Sequence, residues 1–224
     1  MIDTSGVRAV RLPGGEGAGD EEVMMQTVRI HGRGGQGVVT AAELLSIAAF
    51  ADGRYAQAFP SFGSERMGAP VMAFCRIDER AIRTREAVTH PDVVIVQDPT
   101  LLHQVDVFGG LSAQGYVLIN STRSVEELGL DKFLNAFPDG HVCVVPASDI
   151  GVTHMQRPVA NTPLLGAFAA MTGLVELASV QSAIRQRFPG ALGEANAAAS
   201  KDGYDHVIAC LSQERSDSHH ARAN

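Results

Sequence analysis

Cysteine is scarce in this 224-residue chain: Cys75, Cys143 and Cys210 lie far apart, and none belongs to a C-x-x-C pair. That spacing builds neither an iron–sulfur ligand set nor a zinc ribbon. Cys75 and Cys143 fall in apolar, strand-like runs and read as small buried hydrophobes in a reducing compartment. Positive charge is also in short supply. The formal net charge is −7, which argues against a sequence-independent nucleic-acid binder, whose affinity comes from neutralising phosphates. No basic segment leads into an apolar stretch at the start, so no secretory signal is expected and a cytoplasmic location is. The longest uncharged run, residues 158–175, contains Asn161, Pro163, Gly166 and Gly173; it reads as a buried helix rather than a membrane span.

Reactive-centre motifs are missing as well. There is no G-x-S-x-G elbow and no H-E-x-x-H. His90, His103, His141, His154 and His206 are scattered without ligand spacing. The Gly-Asp-Gly that opens a magnesium–diphosphate site of thiamine enzymes does not occur. Asp52-Gly53, Asp139-Gly140 and Asp202-Gly203 lack the leading glycine and read as turn signals. A chain of this size without its own reactive centre suggests a partner that completes the site.

What is present is a glycine turn. The alternating run 26–31 enters Gly32-Arg33-Gly34-Gly35-Gln36-Gly37, and an Ala/Leu-rich run leaves it. Gly32, Gly34 and Gly37 have G-x-G-x-x-G spacing with strand and helix signals on either side. Glycine there permits positive backbone torsions and close approach of the main chain to a ligand or a packed neighbour. The free N–H groups and dipole of the following helix, expected over 36–51, make that end a place for an anion. Further strands are expected at 54–59, 71–77, 93–97, 116–120 and 141–145. A short helix is expected at 99–107, a capping box at Ser124–Glu127, and helices after Asn161-Thr162-Pro163, over 180–188 and over 194–212, the last broken at Gly203. Hydrophobic content of 45% supports a sizeable core. The fold class is α/β: a Rossmann-like, doubly wound, mainly parallel sheet with a helical C-terminal cap. Residues 1–24, rich in Gly, Pro, Asp and Glu, are expected to be a disordered extension, 25–212 the domain, and 213–224 a frayed tail.

The ligand of that turn is narrowed by one more absence. An NAD site calls for an acidic residue at the end of the second strand, and 54–59 has none. A ligand with an extra phosphate is less disfavoured, because Arg33 and Arg66 are available as charge partners. The competing reading is that the glycines serve only strand–helix packing. A second loop, Ser64-Glu65-Arg66-Met67-Gly68-Ala69-Pro70, sets adjacent charges among small residues. It reads equally well as a contact for ligand or partner and as a solvated turn.

Three segments taken together resemble the gamma subunit of the pyruvate:ferredoxin (2-oxoacid:ferredoxin) oxidoreductases: residues 32–45, residues 59–71 and residues 161–168, in order within 26–212. The related indolepyruvate type differs in the second loop. The resemblance implies an oxidoreductase subunit, inactive alone, in a hetero-oligomer that oxidatively decarboxylates a 2-oxoacid to acyl-CoA. Alpha, beta and ferredoxin-like delta subunits would be its partners, with ferredoxin or another acceptor reached through them. Thiamine diphosphate, Mg and iron–sulfur clusters would reside in those partners. This chain would contribute subunit assembly and coenzyme A binding: Gly32, Arg33, Gly34, Gly35, Gln36 and Gly37 near the CoA phosphates, with Ser64, Glu65, Arg66 and Gly68 at the CoA channel or the thiamine-bearing partner. No catalytic residue, metal ligand, nucleic-acid contact or membrane contact is assigned to it. The alternative of a different class is an interaction scaffold with no ligand of its own, and a third, weaker one is an independent NAD-dependent enzyme.

Overall fold

The computed structural model describes residues 25–61 and 67–222, without the side chains of Lys132 and 214–222. The expected extension at 1–24 lies outside the described residues, as do Ser64, Glu65 and Arg66. Six strands form one sheet: β1 (Gln26–Arg33), β2 (Tyr55–Pro60), β3 (Pro70–Asp78), β4 (Val93–Val96), β5 (Tyr116–Asn120) and β6 (Val142–Val145), in the order β2-β3-β1-β4-β5-β6. β1, β4, β5 and β6 run parallel, whereas β3 is antiparallel to both β1 and β2. The sheet is therefore mixed and mostly parallel, as the alternation of apolar runs and helical patterns anticipates.

The order of the first strands departs from simple winding. The strand that follows the first helix goes to the outer edge, and β3 turns back to lie beside β1. The residue opposite Arg33 on that neighbouring strand is Pro70, so the end of strand two is not where a ribose-holding acid would be sought in this fold.

The uninterrupted apolar runs of β4 and β5 reflect burial on both faces. Val93, Ile95 and Leu118 join the core beneath helices α1 (Val38–Ala51), α4 (Asn161–Thr172), α5 (Leu177–Arg187) and α6 (Ala191–Arg222). Val94, Val96, Val117 and Ile119 join a smaller core on the other side with Leu101, Val107, Leu128 and Leu134. α1 starts at Val38, after the expected 36, because Gln36 is held in the turn by its N–H to the Arg33 carbonyl, 3.0 Å, and Gly37 is left-handed at φ 74°.

Several expected elements take a different form. Ser124 and Glu127 make the reciprocal capping bonds, 2.8 and 3.3 Å, but only a turn follows before the short helix α2 (Asp131–Leu134). The segment 99–107 contains a 3-10 helix over Pro99–His103, begun by the Asp98 carboxylate accepting from the Thr100 N–H. A helix without a counterpart in the pattern, α3 (Ala147–Met155), follows β6.

α6 is unbroken through Gly203 and runs to Arg222. A Cβ on Gly203 would lie 2.1 Å from the Pro163 carbonyl oxygen, and one on Gly166 would lie 1.7 Å from that of Ser200. These glycines bring α4 and α6 into backbone contact, and Gly203 is a packing residue rather than a breaker.

Candidate functional site at the strand ends

In an open α/β sheet, ligands gather beyond the carboxyl ends of parallel strands where the winding reverses. Here that point lies between β1 and β4. β1 ends in Gly32 and Arg33, β4 is followed by Gln97 and Asp98, and β5 ends in Asn120. The Asn120 amide donates to the Gln97 carbonyl, 2.8 Å, and to Ser148 Oγ, 2.9 Å; its oxygen accepts from the Ser148 N–H, 3.0 Å. This lashes β4, β5 and the start of α3 together at the rim.

The glycine turn and the tail of the second loop, two segments far apart in sequence, meet here. Gly34 N–H donates to the Ala69 carbonyl, 2.9 Å, and Gly68 N–H to the Gly34 carbonyl, 3.1 Å, with a bridge between Gly34 and Met67. Gly35 and Gln36 are exposed at the tip. The Gln36 side chain folds back: its oxygen accepts from the Arg33 N–H, 2.8 Å, and its amide donates to Asp98 Oδ2, 2.8 Å.

Arg33 is fully engaged. Its guanidinium donates to Asp98 Oδ2 at 3.0 Å, the Gly68 carbonyl at 3.0 Å, Thr100 Oγ1 at 2.6 Å and Gln104 Oε1 at 3.0 Å. Partial burial pushes the Asp98 carboxyl up. The hydrogen bonds from Thr100 and Gln36 and the charge of Arg33 outweigh that and hold it below the usual carboxylate range. Arg33 therefore buttresses one wall of the crevice, with its charge answered by Asp98.

The start of α1 is open. Gly37 offers no capping side chain, and no acidic residue occupies the first turn, so the helix presents N–H groups and the positive end of its dipole. Around the turn stand this chain's own side chains. A Cβ on Gly32 would lie 2.6 Å from Val38 Cγ2, one on Gly35 2.5 Å from Met67 Sδ, and one on Gly37 2.6 Å from Asn161 Nδ2. Gln97 is buried beside Gly32, and neither atom of its side-chain amide has a hydrogen-bond partner among the described residues.

Under β1, on the face away from α1, lies a second polar region. Arg29 donates from Nε to His31 Nε2, 3.0 Å, and from Nη2 to the carbonyls of Val107, 3.0 Å, and Gly109, 2.7 Å. Burial first, and the Arg29 charge second, push His31 down to about 4, against an opposing pull from Asp106. Arg76, on neighbouring β3, sits 4.9 Å from the centroid of the Phe59 ring, with Nε and Nη1 unpartnered among the described residues.

Sequence reasoning overlooked Gln97, Asp98, Asn120 and Asn161 as parts of one crevice. The available signal was a polar residue directly after each apolar strand. The histidines have no ligand spacing along the sequence, but the fold gives His206 thiol neighbours. It lies one helical turn before Cys210, and Cys143 of β6 faces the pair.

Comparison with known proteins fits this geometry. Residues 27–206 match the family model for pyruvate ferredoxin/flavodoxin oxidoreductase. The chain is 50% identical over 184 residues to the pyruvate/ketoisovalerate oxidoreductases common subunit gamma of Thermococcus kodakarensis, covering 82% of this chain and 98% of that one. The crystal structure of pyruvate oxidoreductase subunit PORC from Thermotoga maritima superposes with a TM-score of 0.67 at 38% identity, covering 81% of this chain and 96% of that one. At 16% identity, a 2-oxoglutarate:ferredoxin oxidoreductase from Magnetococcus marinus, with 2-oxoglutarate, coenzyme A and succinyl-CoA bound, shares the fold with a TM-score of 0.58, over 84% of this chain and 31% of that one. With the glycine turn, the tail of the second loop at Met67–Ala69 and the Asn161 helix start assembled at one rim, the chain belongs to the pyruvate ferredoxin/flavodoxin oxidoreductase family, in its gamma-subunit type.

Proposed function

We propose that this chain serves as the gamma subunit of a cytoplasmic 2-oxoacid:ferredoxin oxidoreductase and contributes the crevice between β1 and β4 to coenzyme A. The observation that carries the reading is the open N-terminus of α1, without a capping side chain or a first-turn acid, behind the exposed tip Gly35–Gln36. Such an end stabilises a phosphate through oriented N–H groups and the helix dipole. Gln97, with its amide donors and acceptor unmet among the described residues, supplies hydrogen-bonding capacity beside it. Gly32, Gly34 and Gly37 shape the main chain, and Arg33 and Gly68 hold the turn against the second loop. Ser64, Glu65 and Arg66 would extend that loop toward the CoA channel or the thiamine-bearing partner. The M. marinus neighbour, which holds coenzyme A, supports the choice of ligand.

Alpha, beta and ferredoxin-like delta partners would carry thiamine diphosphate, magnesium and the clusters. The chemistry they supply is decarboxylation and electron transfer, so the isolated gamma chain is inactive. Its own residues bind and orient the nucleotide end of CoA, and the proton and electron transfers fall to the partners.

A second reading has its own observation: side-chain atoms of Val38, Met67 and Asn161 stand within 2.6 Å of where Cβ atoms on Gly32, Gly35 and Gly37 would be, which suits a turn built for packing inside an interaction scaffold. One variant separates the two. Thr40→Glu, in the first turn of α1, suits the helix dipole but repels a phosphate. In the assembled complex it should raise the apparent KM for CoA about tenfold or more, an effect of about 1.4 kcal/mol, with subunit assembly unchanged. An unchanged KM with normal assembly overturns the CoA assignment and leaves the scaffold.

A further inference from the structure

Cys143, His206 and Cys210 converge at the opposite end of the molecule from α1's partners on β2, where the edge strand β6 meets α6. One ligand atom from each lies within 4.8 Å of the other two. His206 Nε2 and Cys210 Sγ are 3.6 Å apart. In a tetrahedral zinc site, with bonds of about 2.0–2.1 Å to nitrogen and 2.3 Å to sulfur, neighbouring N and S ligands stand roughly 3.5 Å apart. The pair on the helix therefore has a ligand-like N···S separation, and the His206 ring has to turn Nε2 away from the Val144 carbonyl, 3.0 Å away, to receive the ion. His206 and Cys210 are one turn apart on α6 and project from the same side. Cys143 is buried on β6 and meets them from the sheet.

We propose that Cys143, His206 and Cys210 form a binding site for one thiophilic divalent cation of the zinc class. Two thiolates and an imidazole select such an ion over magnesium or calcium, which take oxygen ligands. Three protein ligands leave a fourth position, which a water completes in a tetrahedral site; Cys143 is buried, and His206 and Cys210 are half-buried. Binding removes the thiol protons of Cys143 and Cys210. The His206 ring stays neutral: its proton shifts from Nε2, which donates to the Val144 carbonyl 3.0 Å away in the metal-free chain, to Nδ1, so only the two thiol protons are released. No redox change is involved. The ion would staple α6 to the outermost strand, so that metal affinity becomes folding stability. This site is independent of the CoA crevice and of the reading built on it.

The plain alternative is that His206 is present only to satisfy the outward carbonyl of an edge strand. The substitution His206→Gln keeps an amide donor for Val144 and removes the aromatic ligand. The full-length chain, reduced with a phosphine and freed of metal by chelator, is titrated with Co²⁺ alone and then with Zn²⁺. The expected result is about one equivalent of Co²⁺ per chain, with thiolate-to-cobalt charge-transfer absorption and tetrahedral ligand-field bands, all discharged by Zn²⁺, and a Tm that rises with added Zn²⁺. His206→Gln and Cys210→Ser should each lose the absorption and the Zn²⁺-dependent rise while keeping their far-UV circular dichroism, and Cys75→Ala should keep both. Absence of charge-transfer absorption in the parent chain overturns the proposal. So does equal absorption in His206→Gln and Cys210→Ser, or a Cys143–Cys210 disulfide in the purified chain that, once reduced, takes up no metal.

Discussion

The two faces of β1 solve the problem of burial in opposite ways. On one face, Val28 and Ile30 are wholly buried beneath α1 and the helical layer, within the main hydrophobic cluster. On the other, Thr27, Arg29 and His31 are almost as deeply buried, yet polar. Thr27 and Asp92 bond to each other, and Arg29 ties His31 to the carbonyls of Val107 and Gly109. The apolar face draws its stability from area and close packing. The polar face draws little from burial, and what it gains is conditional on every donor finding its acceptor. One strand thus carries a robust side and a side that responds to its chemical environment.

Breaking the robust side should have the largest effect. Phe168 of α4 is fully buried in that core, and Phe168→Ala should cost about 3–5 kcal/mol in denaturant unfolding. A loss below about 1 kcal/mol would mean that the helical layer repacks and is not the rigid side.

The polar side should reveal itself through pH. His31 is depressed to about 4 in the folded chain from about 6.5 unfolded, so the unfolded chain binds the extra proton first. Its contribution is complete above about pH 6.5 and lost as the pH falls toward 4, up to about 3 kcal/mol. Urea unfolding at steps between pH 7 and 4.5 should show this slope, and His31→Gln should flatten it. The same slope in both chains would assign it to other groups.

Where the two treatments meet, at the helix ends, effects should be smaller. Asp52, just past α1, accepts from the Glu176 N–H, 2.8 Å, and from the Ser179 hydroxyl at the start of α5. It caps a helix far from it in sequence, and Asp52→Ala should cost about 1 kcal/mol. Least of all, the exposed Arg185–Glu194 pair, 2.9 Å, should contribute under about 0.5 kcal/mol, read from Arg185→Ala and sensitive to salt.

How much of this was legible in the residues depends on how local the cause is. β4 and β5 announce themselves because a strand buried on both faces must be apolar throughout, and α4 because its uncharged run is enclosed on all sides. The glycine turn is legible because strand, turn and helix are contiguous. α3 is hidden because 147–155 mixes Gly151 with β-branched residues and owes its helix to tertiary contact: a Cβ on Gly151 would lie 2.3 Å from the Val159 carbonyl oxygen. Gly203 signals a break in isolation and a close approach in context, since only the partner helix distinguishes the two. The insertion of β3 beside β1 is a pairing choice that leaves no mark in either strand. Gln97, Asn120 and Asn161 escape for the same reason: each belongs to a different element, and the crevice exists only in their sum.

The seating of Asn161 against Gly37 carries a consequence for how the protein is made. Synthesis delivers the turn first, at residues 32–37, then Gly68 and Ala69, then Gln97 and Asp98, and only much later Asn161 at the head of α4. A nascent polypeptide halted anywhere before residue 161 holds the bend without its last wall. That rim is thus completed only after the whole sheet has been synthesised, when the first helix of the C-terminal layer closes over it.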